Sequence, residues 1–253
     1  MEIKIKSRKI KGKFIYLDIL ENKKAKSIVI FLSGFSGSRN LPLFKKSSKE
    51  FLKSEFSVIR LNFCNDSDDK TQKLLALNPK DMTFSTYTSE LKNIFDNFSK
   101  KYRTVILIGH SFSAVISILF LSKYRKYRKN TDLVLWEPSL LPWKKEWLEE
   151  DFYFDKTKQV YLGKKTKEIL NKTFYKECAK TEDTSEIFRR LSMNACIIAV
   201  KNIAEKNAIK YFLKVPNKNN SKLLIMKGTG HLFGDKNSQK KLFQETINYL
   251  NSY

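Results

Sequence analysis

The sequence predicts an α/β fold with a mostly parallel, eight-stranded sheet and helices on both faces. Short runs of β-branched and other apolar residues alternate with longer segments whose apolar residues recur every three or four positions. The chain has 253 residues, 42% of them hydrophobic, which is enough to bury one sizeable core. Loops of small residues follow the apolar runs, as expected where parallel strands end.

The N-terminal half contains two kinds of apolar pattern. Its first two segments alternate Ile with Lys or run apolar, and they meet near Gly12, which predicts an antiparallel pair. The next runs are continuous, as in strands buried on both faces. Between them, apolar spacings of three and four predict helices. The predicted strands are 2–9, 13–21, 27–32 and 57–63, and the predicted helices are 43–55 and 85–101.

The C-terminal half repeats this alternation with one interruption. Residues 114–124 are apolar nearly all round, which predicts a buried helix. Residues 142–192 are aromatic and charged, and they separate two strands that one helix could connect. We therefore expect one domain, 1–253, with 142–192 as an inserted cap. The predicted strands here are 104–108, 132–136, 195–200 and 222–226.

The formal net charge is +23, and 41 of the 49 basic residues are Lys spread along the whole chain. No nucleic-acid-binding motif accompanies this charge, so no specific nucleic-acid partner is expected, and weak association with an anionic surface stays open. Cys64, Cys178 and Cys196 are scattered, which argues against disulfides or a zinc site. With no signal-peptide pattern and no run of roughly 18 apolar residues, a cytoplasmic protein is expected.

The first candidate for a catalytic site is the segment Gly109-His110-Ser111-Phe112-Ser113, which lies between a predicted buried strand and a predicted buried helix. A sharp strand-to-helix turn strains its central residue and needs small neighbours two positions away on each side, which Gly109 and Ser113 provide. Such a turn presents the Ser111 hydroxyl at a helix N-terminus, where unpaired N–H groups favour developing negative charge. This pattern is typical of a nucleophile elbow.

The chain resembles the α/β-hydrolase family at this elbow and in the segment Ile30 to Ser38. That segment is similar to the family's oxyanion loop, usually written H-G-F-x-G-S, with Ser33 in place of the customary His. Because the donors are backbone amides, this departure is mild. The resemblance implies that the amides of Phe35 and Phe112 bind the oxyanion.

Two histidines are present, and they differ in context. His110 lies inside the elbow, where similar enzymes often carry a His without catalytic duty. His231 lies in a glycine-rich loop, residues 228–233, directly after the last predicted strand. This resembles the family's catalytic loop, so we expect His231 to be the general base for Ser111.

The third member of the triad is open at this stage. Similar enzymes usually place an Asp after the strand at 195–200, but Asn202 occupies that position. Glu205 is the only acid between that strand and His231. In a second arrangement of the family the acid ends the preceding strand, commonly before a Pro, and Glu137-Pro138 matches this placement. The alternatives are therefore Glu137, Glu205 or no true acid.

These residues predict a serine hydrolase that cleaves a small-molecule carboxylic ester or thioester through an acyl-enzyme on Ser111. Trp143 and Trp147, in the predicted cap, are candidates for binding a hydrophobic acyl chain. Neither a metal nor an organic cofactor is implied. The sequence also fits two other classes of function: a non-catalytic binding protein on the same fold, and an acyl hydrolase or acyltransferase associated with a lipid surface. The sequence does not determine the oligomeric state.

Overall fold

Strands and helices alternate along most of the chain in the computed structural model, which describes residues 1–35, 37–63, 83–164, 169–201 and 203–252. The strands are β1 (Glu2–Lys6), β2 (Phe14–Leu20), β3 (Ser27–Leu32), β4 (Ser57–Asn62), β5 (Thr104–His110), β6 (Thr131–Trp136), β7 (Phe152–Asp155), β8 (Val160–Gly163), β9 (Ile169–Asn171), β10 (Ala195–Val200) and β11 (Lys222–Met226). The helices are α1 (Pro42–Lys53), α2 (Phe84–Phe98), α3 (Phe112–Lys123), α4 (Lys145–Asp151), α5 (Lys172–Lys180), α6 (Thr184–Arg189), α7 (Ile203–Phe212) and α8 (Lys236–Leu250).

Within the described residues, one sheet of eight strands has the order β1-β2-β4-β3-β5-β6-β10-β11. The pairs β1–β2 and β2–β4 are antiparallel, and every other neighbouring pair is parallel. This confirms the predicted mostly parallel sheet. Because β3, β5, β6 and β10 run in the same direction, their carboxyl ends meet at one edge, where loops from distant parts of the sequence come together.

The central strands are buried because helices cover both faces of the sheet. All six residues of β10 and five of the six residues of β3 are buried. Apolar side chains of α1 and α8 pack on one face, and those of α2, α3, α6 and α7 pack on the other. The continuous apolar runs of the sequence are therefore explained by two-sided burial.

The segment between β6 and β10 forms a small layer of its own. The antiparallel strands β7, β8 and β9 make a three-stranded sheet, with α4 before it and α5 after it. The helix α6 packs against α3, in the layer that covers the main sheet. That residues 142–192 act as a cap stays a prediction.

Several residues that the sequence singles out lie outside the described part of the chain: Cys64, Asn202 and the side chain of Trp147. Cys178 and Cys196 are buried and free, and burial raises the pKa of both thiols, that of Cys196 to about 12. In the described residues we find no helix with the length and apolar character needed to cross a membrane.

Candidate active site

The turn between β5 and α3 is as sharp as the sequence predicts. Ser111 has φ 55° and ψ −122°, a conformation that residues with a side chain rarely adopt. A Cβ atom on Gly109 would lie 2.7 Å from the Ser113 carbonyl oxygen and 2.8 Å from the Ala114 nitrogen, so no larger residue fits there. The hydroxyl of Ser113 donates to the carbonyl of Ser33 and ties the turn to the neighbouring loop.

Backbone bonds from the next strand keep this turn in place. The Ser111 amide donates to the Trp136 carbonyl at 2.8 Å, and the Ser139 amide donates to the Ser111 carbonyl at 3.1 Å. Strain of order 1–3 kcal/mol at one residue persists only when its surroundings over-determine the conformation. These two bonds fix the Ser111 backbone at its amide and at its carbonyl.

The loop after β3 lies directly against Ser111. A Cβ atom on Gly34 would be 2.9 Å from the Ser111 Cβ and 3.4 Å from its hydroxyl oxygen. The rings of Phe35 and Phe112 are in edge contact, with centroids 5.8 Å apart. Phe112 is the first residue of α3, so its amide has no partner within the helix. The structure therefore brings together the two residues that the resemblance selects for an oxyanion hole.

Glu137 and His231 meet at the same sheet edge, although 94 positions separate them in the chain. His231 Nδ1 lies 3.0 Å from Glu137 Oε2. Glu137 Oε1 accepts from the Val200 amide at the end of β10, and the Glu137 amide donates to the Ile198 carbonyl. The Glu137 side chain is fully buried and the His231 side chain is 50% exposed. Hydrogen bonds to both carboxylate oxygens offset the loss of solvation that burial imposes.

The other candidate acid lies elsewhere. Glu205 is in the first turn of α7, and among the described residues no hydrogen bond or ion pair joins it to His231. The geometry favours Glu137, whose second oxygen is held by the last residue of β10. The resemblance predicts an acid directly after that strand, and in the structure the strand contributes the Val200 amide instead.

A partly buried polar network holds the chain segment that follows Glu137. The Tyr211 hydroxyl donates to the Ser139 carbonyl at 3.0 Å and lies 2.6 Å from the Thr184 hydroxyl oxygen. The Asn207 side chain donates to the Pro138 carbonyl at 3.1 Å. Burial raises the pKa of Tyr211, so its hydroxyl stays protonated and can donate. Side chains of α6 and α7 therefore support the position of Glu137, whose own φ is 50°.

His110 has a role in the structure that sequence reasoning missed. Its ring is buried, its Nε2 lies 3.1 Å from the His231 carbonyl oxygen, and the two imidazole centroids are 4.8 Å apart. Burial and the nearby His231 lower the pKa of His110 to about 4. The one signal in the sequence was its position next to Ser111.

Ser111 and the Glu137–His231 pair lie at the same edge of the sheet. Among the described residues, no hydrogen bond joins the Ser111 hydroxyl to the His231 imidazole. Catalytic hydrogen bonds in unliganded sites are often long and tighten only when substrate binds. The pairing of these two side chains therefore stays a prediction.

Aromatic rings pack together beside Ser111. Phe112 of the turn is at the centre, and rings from the loop after β3, the start of α2, the segment before α4 and α5 surround it. Its contacts, with centroid distances, are Phe35 at 5.8 Å, Phe84 at 6.0 Å, Trp143 at 5.5 Å and Phe174 at 5.5 Å. Trp143, a predicted substrate-binding residue, thus lies within reach of the turn.

The overall architecture matches that of solved structures along the whole chain. Est1E from Butyrivibrio proteoclasticus with ferulic acid bound has a TM-score of 0.76 at 11% identity, covering 98% of each chain. A thermophilic esterase from Thermogutta terrifontis has a TM-score of 0.69 at 15% identity, covering 99% of this chain and 98% of the esterase. A dienelactone hydrolase from Anabaena variabilis has a TM-score of 0.64 at 11% identity, covering 100% and 98%.

Sequence comparison finds nothing comparable, since neither a protein-family model nor a curated protein matches this chain. The three-dimensional likeness therefore carries the assignment, and at these identities it concerns the fold alone. The mostly parallel sheet, its flanking helices and the sharp turn after β5 agree with it. The chain has the α/β-hydrolase fold.

Proposed function

We propose that this protein is a serine hydrolase that cleaves a carboxylic ester or thioester through an acyl-enzyme on Ser111. The observation that carries the proposal is the hydrogen bond of 3.0 Å between His231 Nδ1 and the buried Glu137 carboxylate, at the sheet edge where Ser111 is presented. A carboxylate accepts from Nδ1–H, so the Nε2 lone pair remains available to take a proton.

The reaction follows from these roles. His231 Nε2 takes the Ser111 proton as the hydroxyl oxygen attacks the carbonyl carbon, and the amides of Phe35 and Phe112 bind the oxyanion that forms. The intermediate collapses, the alcohol or thiol leaves with the proton from His231, and the acyl group stays on Ser111. Water, activated by His231 in the same way, then releases the acid. Glu137 orients the imidazole and stabilises it when it is protonated.

The aromatic rings around Phe112 support a hydrophobic acyl group as substrate. Phe35, Phe84 and Trp143 are partly exposed and contact Phe112, the residue whose amide is assigned to the oxyanion, so an acyl chain bonded to Ser111 would lie against these three rings. Trp147 remains a second candidate for this role from the sequence alone. A cytoplasmic location and weak association with anionic surfaces likewise remain predictions.

Labelling with a fluorophosphonate tests the chemistry directly, because such probes modify an activated serine. Wild-type protein should be labelled and should hydrolyse p-nitrophenyl esters, whereas Ser111→Ala should do neither. The panel should contain esters of rising chain length and one feruloyl ester, since Est1E was solved with ferulic acid. Folded wild-type protein that neither reacts with the probe nor turns over any ester would leave a non-catalytic binding protein on this fold.

A further inference from the structure

The glycine-rich loop that carries His231 is exposed along most of its length. Cβ atoms built on Gly228, Gly230 and Gly234 would meet no other atom within 4 Å. His231 and Leu232 are exposed, and Phe233 is the buried residue of this stretch. An imidazole on such a loop needs fixed points if it is to keep its distance from Ser111.

Beyond the buried ring of Phe233, the structure holds His231 itself at two points, one on its side chain and one on its backbone. Glu137 binds the His231 side chain at Nδ1, 3.0 Å away, while His110 Nε2 lies 3.1 Å from the His231 carbonyl oxygen. His110 is only 2% exposed and lies at the end of β5, a central strand of the sheet. The second fixed point therefore comes from the residue directly before Ser111.

The hydrogen-bond partner of His110 determines which ring nitrogen carries the proton. A carbonyl oxygen can only accept, so Nε2 must be the donor. A neutral imidazole has one N–H, which leaves His110 Nδ1 without a proton. Nδ1 is buried with no hydrogen-bond partner among the described residues, on the side of Gly34, where a built Cβ would be 3.4 Å away. Neutral His110 with its proton on Nε2 is the form that fits this site.

We propose that His110 is a positioning residue for catalysis: by donating from Nε2 to the His231 carbonyl, it holds the loop so that the His231 imidazole stays over Ser111. This rests on the proposed function, because it assigns His110 a part in the same site. His110 does not touch the reacting atoms and acts only through His231.

Two substitutions separate the hydrogen bond from the volume of the ring. His110→Leu fills much of the space but has no donor, whereas His110→Gln carries an amide N–H at about the reach of Nε2. As a matched control, Thr131→Val removes another buried hydrogen bond, from the Thr131 hydroxyl to the Tyr127 carbonyl at 2.7 Å, at the end of β6 opposite to Glu137.

The rate of fluorophosphonate labelling and the kcat and KM for one p-nitrophenyl ester should be measured for all four proteins. His110→Leu should lower labelling and kcat by about 10- to 100-fold with little change in KM, since small misplacement of a catalytic group is that costly. His110→Gln should recover most of this loss, and Thr131→Val should retain wild-type kcat. Equal rates in wild type and His110→Leu, or equal losses in the Leu and Gln variants, would overturn the proposal.

A second readout does not depend on activity. The chain has two histidines, so ¹⁵N-histidine spectra contain only two sets of ring signals. In His110→Leu, the signals of His231 should move toward those of an unrestrained imidazole, whereas in Thr131→Val they should not. Unchanged His231 signals in His110→Leu would show that His110 does not position the loop, even where labelling of wild type upholds the proposed function. Absence of labelling with shifted His231 signals would count against the function alone.

Discussion

In a Glu137→Gln variant, one amide side chain must serve Val200 and His231, the two partners that the structure describes for the carboxylate. The Val200 amide donates to one oxygen, so the Gln carbonyl has to occupy that position. The Gln NH₂ group then faces His231 Nδ1, where the carboxylate oxygen is 3.0 Å away at present. Both partners remain satisfied only if Nδ1 accepts, which moves the imidazole proton to Nε2.

This change of tautomer determines how much kcat falls. With its proton on Nε2, His231 cannot take the proton of Ser111, and it also loses the charge that stabilises the imidazolium. A serine protease triad with this type of substitution loses about 10⁴ in kcat, and we expect about 10³–10⁴ here. A factor of this size corresponds to roughly 4–5.5 kcal/mol of transition-state stabilisation. KM should change little, because Glu137 is buried behind His231.

The assay is p-nitrophenyl ester hydrolysis together with the thermal unfolding midpoint of each variant. Glu205→Gln is the matched control, since it makes the same chemical change on α7 with no described bond to His231. It should retain wild-type kcat. The reasoning would be refuted if Glu137→Gln kept full activity while folded and Glu205→Gln lost it.

Three further predictions follow from other contacts. Gly34→Ala should lower fluorophosphonate labelling by about 10²-fold, because the new Cβ would lie 2.9 Å from the Ser111 Cβ and displace it. Tyr211→Phe should lower the free energy of unfolding by about 1–3 kcal/mol in urea titrations, because the buried Thr184 hydroxyl and the partly buried Ser139 carbonyl each lose a hydrogen bond. The pKa of His110 falls from its ordinary 6.5 to about 4 on folding, so the unfolded chain binds more protons between these values. Stability from this group is complete above pH 6.5 and should fall by about 3 kcal/mol at pH 4, a loss absent in His110→Gln.

Each of these predictions has its own control. Gly230→Ala adds a Cβ where nothing lies within 4 Å and should be labelled normally. Tyr153→Phe removes the hydroxyl of a Tyr that is 50% exposed and should leave stability unchanged. Equal effects of the paired substitutions would contradict the contacts invoked. For His110, urea titrations at pH 7 and pH 4 that give the same difference for wild type and His110→Gln would contradict the linkage.

The fold could be predicted from the sequence wherever burial leaves a simple pattern. The strands β3, β10 and β11 begin and end at the residues expected, because each is an apolar run bounded by polar residues. The strands β7, β8 and β9 were not predicted. They have three or four residues each and lie in a segment whose mixed aromatic and charged residues show no clear period.

The candidate site was predictable where it depends on a local turn. The strain at Ser111 and the small neighbours that it needs follow from five consecutive residues. The contact between Glu137 and His231 depends instead on the order of strands in the sheet, since it requires β6 to lie beside β10. The contact from His110 to the His231 carbonyl depends on the path of a glycine-rich loop, which no local pattern specifies.

The central claim is that an acyl group becomes bonded to Ser111 during turnover. The most direct test mixes the protein with a p-nitrophenyl ester, quenches in acid within the first turnover and locates any adduct by peptide mass spectrometry. We predict a burst of nitrophenolate and one acyl group on the peptide that contains Ser111, with neither in Ser111→Ala. Ester hydrolysis that continues in Ser111→Ala, with no acyl group on that peptide in wild type, would contradict it.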